Sequence, residues 1–298
     1  MEITMVFLLI IAAAVCLILI ESHREQSSFV MRHYTIESDK LKSDSEHYCF
    51  VLLADLHGHD YDADNQKLTD AVLKASPDIV LAAGDMITAK SPQGFLAAEH
   101  LLSSIAAKCP VYYGLGNHEM KMEQDDTDGR EAYFEYRNRL EAEHVRILSN
   151  KSDVLAVRGQ SFTISGLTIP GDYYNRLRAP RTNADFIREM LGEPDEDGYQ
   201  ILIAHNPAGE KSFSEWGADL TVSGHYHGGI VRFFGKYGLI TPQFRFFSKK
   251  TAGCFLNGCG HLVISSGLGT HFIPIRLGNP AEAVVIHLSR KKQNEEAE

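Results

Sequence analysis

In a chain of 298 residues, eight side chains have the types and spacing that metal chemistry requires. They are Asp55 and His57, Asp85, Asn117 and His118, His205, and His225 with His227. Two divalent cations held about 3.5–4 Å apart can clamp an in-line displacement at phosphorus, stabilising both the attacking and the leaving oxygen. Such a site needs one carboxylate shared between the ions, with imidazole and oxygen donors in the remaining positions. That mixture suits manganese, zinc or iron rather than calcium. The formal net charge of −10 points the same way. An acidic chain repels a phosphate ester at long range unless bound cations reverse the sign locally.

The elements that must position these residues are legible as apolar runs. Residues 48–54, 78–83, 111–115, 199–204 and 219–223 are short strand-like stretches, and each stops at polar, metal-competent residues. Residues 65–75 and 93–107 carry apolar side chains at helical spacing, giving a strand–helix–strand–helix–strand series of parallel type. Open sheets of that kind gather their sites outside the carboxyl ends of the strands. Glycines at 84, 116, 224 and 228 let the backbone turn tightly there. A leading strand near 28–36, a hairpin around 158–160, and helices near 184–191 and 208–216 complete the reading. The acidic loop with Asp125, Asp126 and Asp128 lacks the glycine and glutamate spacing of an EF-hand and reads as solvated.

The ordered blocks DLH (55–57), GD (84–85), GNHE (116–119), AH (204–205) and GHYH (224–227) resemble the calcineurin-like metallophosphoesterase superfamily. The resemblance spans roughly residues 34–288. It implies an α/β fold: a sandwich of two mixed sheets flanked by helices, with an N-terminal transmembrane helix as an addition. It implies two divalent metal ions, manganese or zinc favoured over iron. Asp55, His57 and His227 then hold one ion and Asn117, His205 and His225 the other, with Asp85 between them. Asn117 and His118 contact the phosphate, and His118 is left as the proton donor. The chemistry agrees, since a histidine not spent on metal is the natural acid near neutral pH. Phosphoprotein phosphatases of this superfamily carry GD-x-x-DRG, whereas Thr88 and Ala89 stand at the Asp and Arg positions here. The C-terminal stretch is similar to the small bacterial membrane-associated branch that includes UDP-2,3-diacylglucosamine pyrophosphatase-like enzymes.

That branch implies hydrolysis of a phosphodiester or pyrophosphate bond in a lipid-linked or envelope-related substrate. A nucleotide or general phosphomonoesterase is the alternative, and a non-catalytic metal-binding scaffold is the alternative of another class. The polar aromatic loop with Asp172, Tyr173, Tyr174, Arg176 and Arg178 is a candidate rim for the substrate head group. Arg276 either pairs with phosphate or fixes the last strands, and His59 either orients a ligand or faces solvent.

Residues 3–20 are uncharged and almost wholly apolar, which reaches the span of a bilayer-crossing helix. No Lys or Arg precedes them, which favours a membrane anchor over a cleaved signal peptide. Arg24, Arg32, Lys40 and Lys42 follow, so the catalytic domain leans to the cytoplasmic face of the cell membrane. The expected division is an anchor at 1–22, a tether and strand at 23–46, a single catalytic domain at 47–290 and a polar tail at 291–298. The acidic balance argues against nucleic acid, which needs clustered Lys and Arg. Five scattered cysteines exclude a zinc-thiolate site and leave a Cys254–Cys259 bridge open. Oligomeric state is not legible.

Overall fold

The computed structural model describes residues 2–42, 47–89, 93–125, 127–174, 182–195, 197–242, 246–270 and 274–291. The first half of the chain runs α1 (Glu2–Gln26), β1 (Phe29–Ser38), β2 (His47–Leu53), α2 (Gln66–Lys74), β3 (Ile79–Ala83), α3 (Gln93–Ala106), β4 (Val111–Gly114), α4 (Asn117–Glu123), α5 (Asp128–Ala142) and β5 (Val145–Leu148). The second half runs β6 (Lys151–Val157), β7 (Gln160–Leu167), α6 (Ala184–Leu191), β8 (Tyr199–Ala204), α7 (Glu210–Trp216) and β9 (Leu220–Ser223). It continues through β10 (Arg232–Phe233), β11 (Tyr237–Ile240), β12 (Phe246–Ser248), β13 (Gly253–Asn257), β14 (Gly260–Ile264) and β15 (Ala281–Arg290).

Two six-stranded mixed sheets result, in the orders β1-β15-β2-β3-β4-β5 and β13-β14-β9-β8-β7-β6. Strands β2 to β5 are parallel neighbours, as are β7, β8, β9 and β14, with antiparallel partners outside each run. The parallel strands read as unbroken apolar runs because both of their faces are covered; β3 and β8 are buried at every residue. Between the sheets lies a core in which the Phe162 ring meets Tyr48, Phe50 and Tyr199 edge-on, with centroids 5.0, 5.3 and 5.9 Å away. Side chains of α2, α3 and α5 cover the outer face of the first sheet, and those of α6 and α7 cover the second. The expected two-sheet sandwich is therefore observed.

The helical N-terminus extends past the expected boundary at residue 22. Within Ile3–Gln26 the most apolar 18-residue window has a mean hydropathy of 3.2, and none of that window is buried. Its last turn folds onto the domain instead: Ser22 Oγ accepts the Arg276 N–H at 3.1 Å, and Glu25 Oε2 accepts the Asn279 N–H at 3.0 Å. Strand β1 follows at once and pairs with β15 in parallel, Phe29 opposite Ala281. Periodicity locates β1, but not its partner 252 positions further on. Cys254 and Cys259 are free thiols.

Candidate metal centre

The loops that follow β2, β3, β4, β8 and β9 converge at one end of the sandwich. The backbone zips the first two together: Asp55 N–H donates to Gly84 O, His57 N–H to Asp85 O and Gly58 N–H to Met86 O, each at 3.0 Å. Five of the eight candidate residues take positive φ, namely Asp55 (54°), His57 (50°), Asp85 (51°), His225 (69°) and His227 (46°). Left-handed backbone at a non-glycine residue costs about 1–2 kcal/mol, so tertiary contacts must hold each one. Glycine is required next to them. A Cβ on Gly116 would stand 2.3 Å from Asp85 Oδ1, and one on Gly228 would stand 2.0 Å from Asn279 Oδ1.

Three groups of ligand atoms each lie within 4.8 Å of one another: Asp55, His57 and His227; Asp85, His205 and His225; and His57, Asp85 and His118. Asp85 Oδ2 stands 3.1 Å from His205 Nε2 and 4.0 Å from His57 Nε2, between the two clusters. The Nε2 atoms of His57 and His227 face each other at 3.2 Å, about the separation of two imidazoles sharing one ion through bonds of about 2.0–2.1 Å. His205 donates from Nδ1 to Ala83 O at 2.7 Å, which turns its buried Nε2 into the site toward Asp85. The buried Oδ1 of Asn117 has no hydrogen-bond partner among the described residues. The unpartnered Asn117 Oδ1 and a mixed imidazole and oxygen set fit a pair of divalent cations.

Without cations, the buried side chains set one another's charge. Burial raises Asp55 to about 7, against the opposing charge of His205 and the His225 N–H that both its oxygens accept. Burial opposes charge on His205 too, but the charge of Asp85 and its hydrogen bond outweigh this and lift the imidazole to about 10. Asp85 is correspondingly held well below the carboxylate range, burial notwithstanding, by His205.

His118 lies in the first turn of α4 and is 2% exposed. Its Nδ1 accepts the Ala89 N–H at 2.9 Å, so in the neutral ring the proton sits on Nε2. Ala89 is one of the two positions that depart from the phosphoprotein-phosphatase pattern. Next to His118, Glu119 is fully buried and accepts from the N–H groups of Asp85, Met86, Ile87 and Gly116 and from the Tyr113 hydroxyl, at 2.6–3.3 Å. Burial and the nearby Asp85 push its pKa up, and the donors oppose this. This glutamate is the last residue of the GNHE block, and its local pattern carries no sign of that bracing role.

A cleft of about 180 Å³ opens over the cluster, lined by Asn117, Lys121, Gln124, Tyr174, His225 and Pro242 among others. Of the proposed rim, Tyr174 is the residue beside the histidines, its ring 5.2 Å from that of His225. Tyr173 instead stacks on Phe186 at 5.2 Å, against the core over the second sheet. Asp172 is exposed in the same turn, and Arg176 and Arg178 lie outside the described residues. Lys121 was not foreseen, although it follows Asn117 by four positions and so shares its helix face. Arg276 is 2% exposed and donates to the carbonyls of Ser266, Gly267, Gly269 and Asn279, which makes it a fixture of the last loops. The His59 ring packs edge-on to Tyr61 at 4.6 Å.

Two packed mixed sheets with His and Asp side chains gathered at the strand ends define a binuclear metallohydrolase architecture. The family profile for calcineurin-like phosphoesterase matches residues 50–229. The chain belongs to that family, whose members work with two divalent metals, and it is a metal-dependent phosphoester hydrolase. It is similar to the uncharacterized protein YpbG of Bacillus subtilis, 26% identical over 259 residues covering 87% of each chain. It is 26% identical to an uncharacterized metallophosphoesterase of Aquifex aeolicus, covering 91% of this chain and 95% of that one. It is also 24% identical to the phosphodiesterase YaeI of Escherichia coli, covering 83% and 84%.

Proposed function

We propose that this hydrolase cleaves a phosphodiester or pyrophosphate bond in a lipid-linked or envelope-related substrate, in the manner of the UDP-2,3-diacylglucosamine pyrophosphatase-like branch. One observation carries the reading: the metal-ligand cluster and its cleft are built on a domain docked to the end of an unburied apolar helix. That helix serves as a single-pass membrane anchor. The similarity to a protein named as a phosphodiesterase supports the bond type.

Asp55, His57 and His227 would hold one cation and Asn117, His205 and His225 the other, with Asp85 shared. Bound there, the cations supply Lewis acidity toward the phosphoryl oxygens and an activated water. His118 presents Nε2–H to the leaving oxygen, its tautomer set by Ala89, and gives up that proton as the bond breaks. Asn117 and Lys121 take the charge of the phosphate at the mouth of the cleft. Glu119 keeps the Asp85 loop in place from behind.

The full chain in detergent, loaded with manganese or zinc, is expected to hydrolyse bis-p-nitrophenyl phosphate faster than p-nitrophenyl phosphate. Lipid-linked pyrophosphates should be better substrates than free nucleotides. A preference for the monoester would replace this reading with a phosphomonoesterase, and metal-loaded protein without turnover on any ester would replace it with a scaffold.

A further inference from the structure

The strands β10, β11 and β12 form a small separate sheet that joins neither large one. Its aromatic side chains turn outward: Phe234 is 91% exposed, Phe246 63% and Phe247 60%, with Phe233 6.1 Å from Phe247 by ring centroids. Exposed apolar patches of this kind mark contact with a partner or a membrane. The surrounding charge selects between them. In a chain of net charge −10, no Asp or Glu occurs between Asp219 and Glu282, while Arg232, Lys236, Lys249 and Lys250 lie on or beside this sheet. Lys249 stands 5.5 Å over the Tyr237 ring, and Lys250 pairs with Glu210 at 2.7 Å. Aromatic rings interleaved with basic residues are the composition of a membrane interface, where rings sit at headgroup depth and cations meet anionic lipid.

The position of the sheet is tied to α1. Ser22 on that helix holds the Arg276 N–H; Leu277, the next residue, accepts from Arg232 N–H at 2.9 Å; and Phe233 follows Arg232. Two hydrogen bonds and two chain steps of about 3.8 Å therefore separate the helix from the first exposed ring. Gln26 adds a bond to Pro274 O at 3.1 Å. Strand β11 also packs against the turn that carries His227. A Cβ on Gly229 would stand 2.6 Å from Gly238 Cα, so the two backbones are in direct contact. Pro242, just past β11, lines the cleft.

We infer that β10–β12 is a foot that docks on the anionic lipid surface beside α1 and sets the cleft at headgroup depth, where it takes phosphate esters of lipids. The inference rests on the reading of α1 as a membrane anchor and deepens the proposed function.

The test uses the full chain reconstituted in phosphatidylglycerol and phosphatidylethanolamine vesicles, with Phe234→Trp as the probe. Trp216 is the only native tryptophan, so the wild-type spectrum serves as the blank. Val154→Trp, exposed on the far edge strand β6, is the control. Brominated lipid is expected to quench the added emission at 234 roughly twofold or more over that at 154, with a blue shift, as for a ring at the interface. Replacing the phosphatidylglycerol with phosphatidylcholine should weaken that difference. Emission at 234 as open to aqueous iodide as that at 154 overturns the foot. So does shielding at 234 that appears in detergent and grows with protein concentration, which assigns the patch to a second copy. If alkaline carbonate strips the chain from the vesicles, the anchor and the foot fall together. Retention with an exposed residue 234 removes the foot alone. Neither readout depends on turnover, so failure of the phosphodiesterase reading is seen separately.

Discussion

His118 and Glu119 are adjacent, equally buried and differently employed. The imidazole accepts a backbone N–H at Nδ1, which puts the proton of the neutral ring on Nε2, whereas the carboxylate spends both oxygens on the loop that carries Asp85. His118→Ala is therefore expected to retain both metals by elemental analysis while losing about 10²–10⁴-fold in kcat, the usual worth of a positioned acid. Loss of metal in that variant would instead make His118 a ligand, a role for which its proximity to His57 and Asp85 leaves room. Asp85→Ala should fail to load metal at all. Glu119→Gln turns an amide NH₂ toward N–H groups that need an acceptor, and should lower unfolding stability by about 3 kcal/mol in urea titration. Manganese added to the chelated chain near neutral pH should release roughly one to two protons, measured calorimetrically in buffers of different ionisation enthalpy. They come from His205, held protonated up to about 10, and from Asp55, part-protonated at about 7.

At the scale of elements, the site is a set of strand ends whose loops lean on one another. Positive φ at Asp55, Asp85 and His225 is sustained by the N–H to carbonyl ladder between the loops and by the carboxylates of Asp55 and Glu119. The strands beneath are held by the core between the sheets, so a cavity there should loosen the site from below. Phe162→Ala removes the ring that touches Tyr48, Phe50 and Tyr199, and is expected to destabilise the chain by about 3–5 kcal/mol. Denaturant unfolding checks this. In the short elements, local pattern decides less. The turn at Gly171–Tyr174 presents Tyr174 to His225 and Tyr173 to Phe186. Neighbouring tyrosines of one type carry no signal that says which will face the site.

At the scale of the molecule, metal binding, folding and pH are one linked equilibrium. In the chelated chain the raised pKa of His205 contributes stability that is complete below the unfolded value of 6.5 and is lost as pH rises through about 10. Asp55, raised to about 7, costs that chain stability as pH rises from 3.8 toward 7. The loaded chain has the opposite trend, because protons cease to compete for its ligands. EDTA should therefore lower Tm more at about pH 8.5 than at about pH 6; an equal shift at both would contradict the assigned couplings. The strand–helix alternation, the apolar helix and the eight convergent residues are all legible in the sequence, since each of those residues stands where an apolar run stops. Those are local properties, set by hydrophobic period and turn chemistry. Folding alone brings β1 beside β15, sets Glu119 against the Asp85 loop, fastens α1 to the turn bearing His227 through Glu25 and Asn279, and bonds the start of the small aromatic sheet to Leu277. Each is a contact between distant stretches of chain, whose partner choice depends on packing that no local pattern encodes.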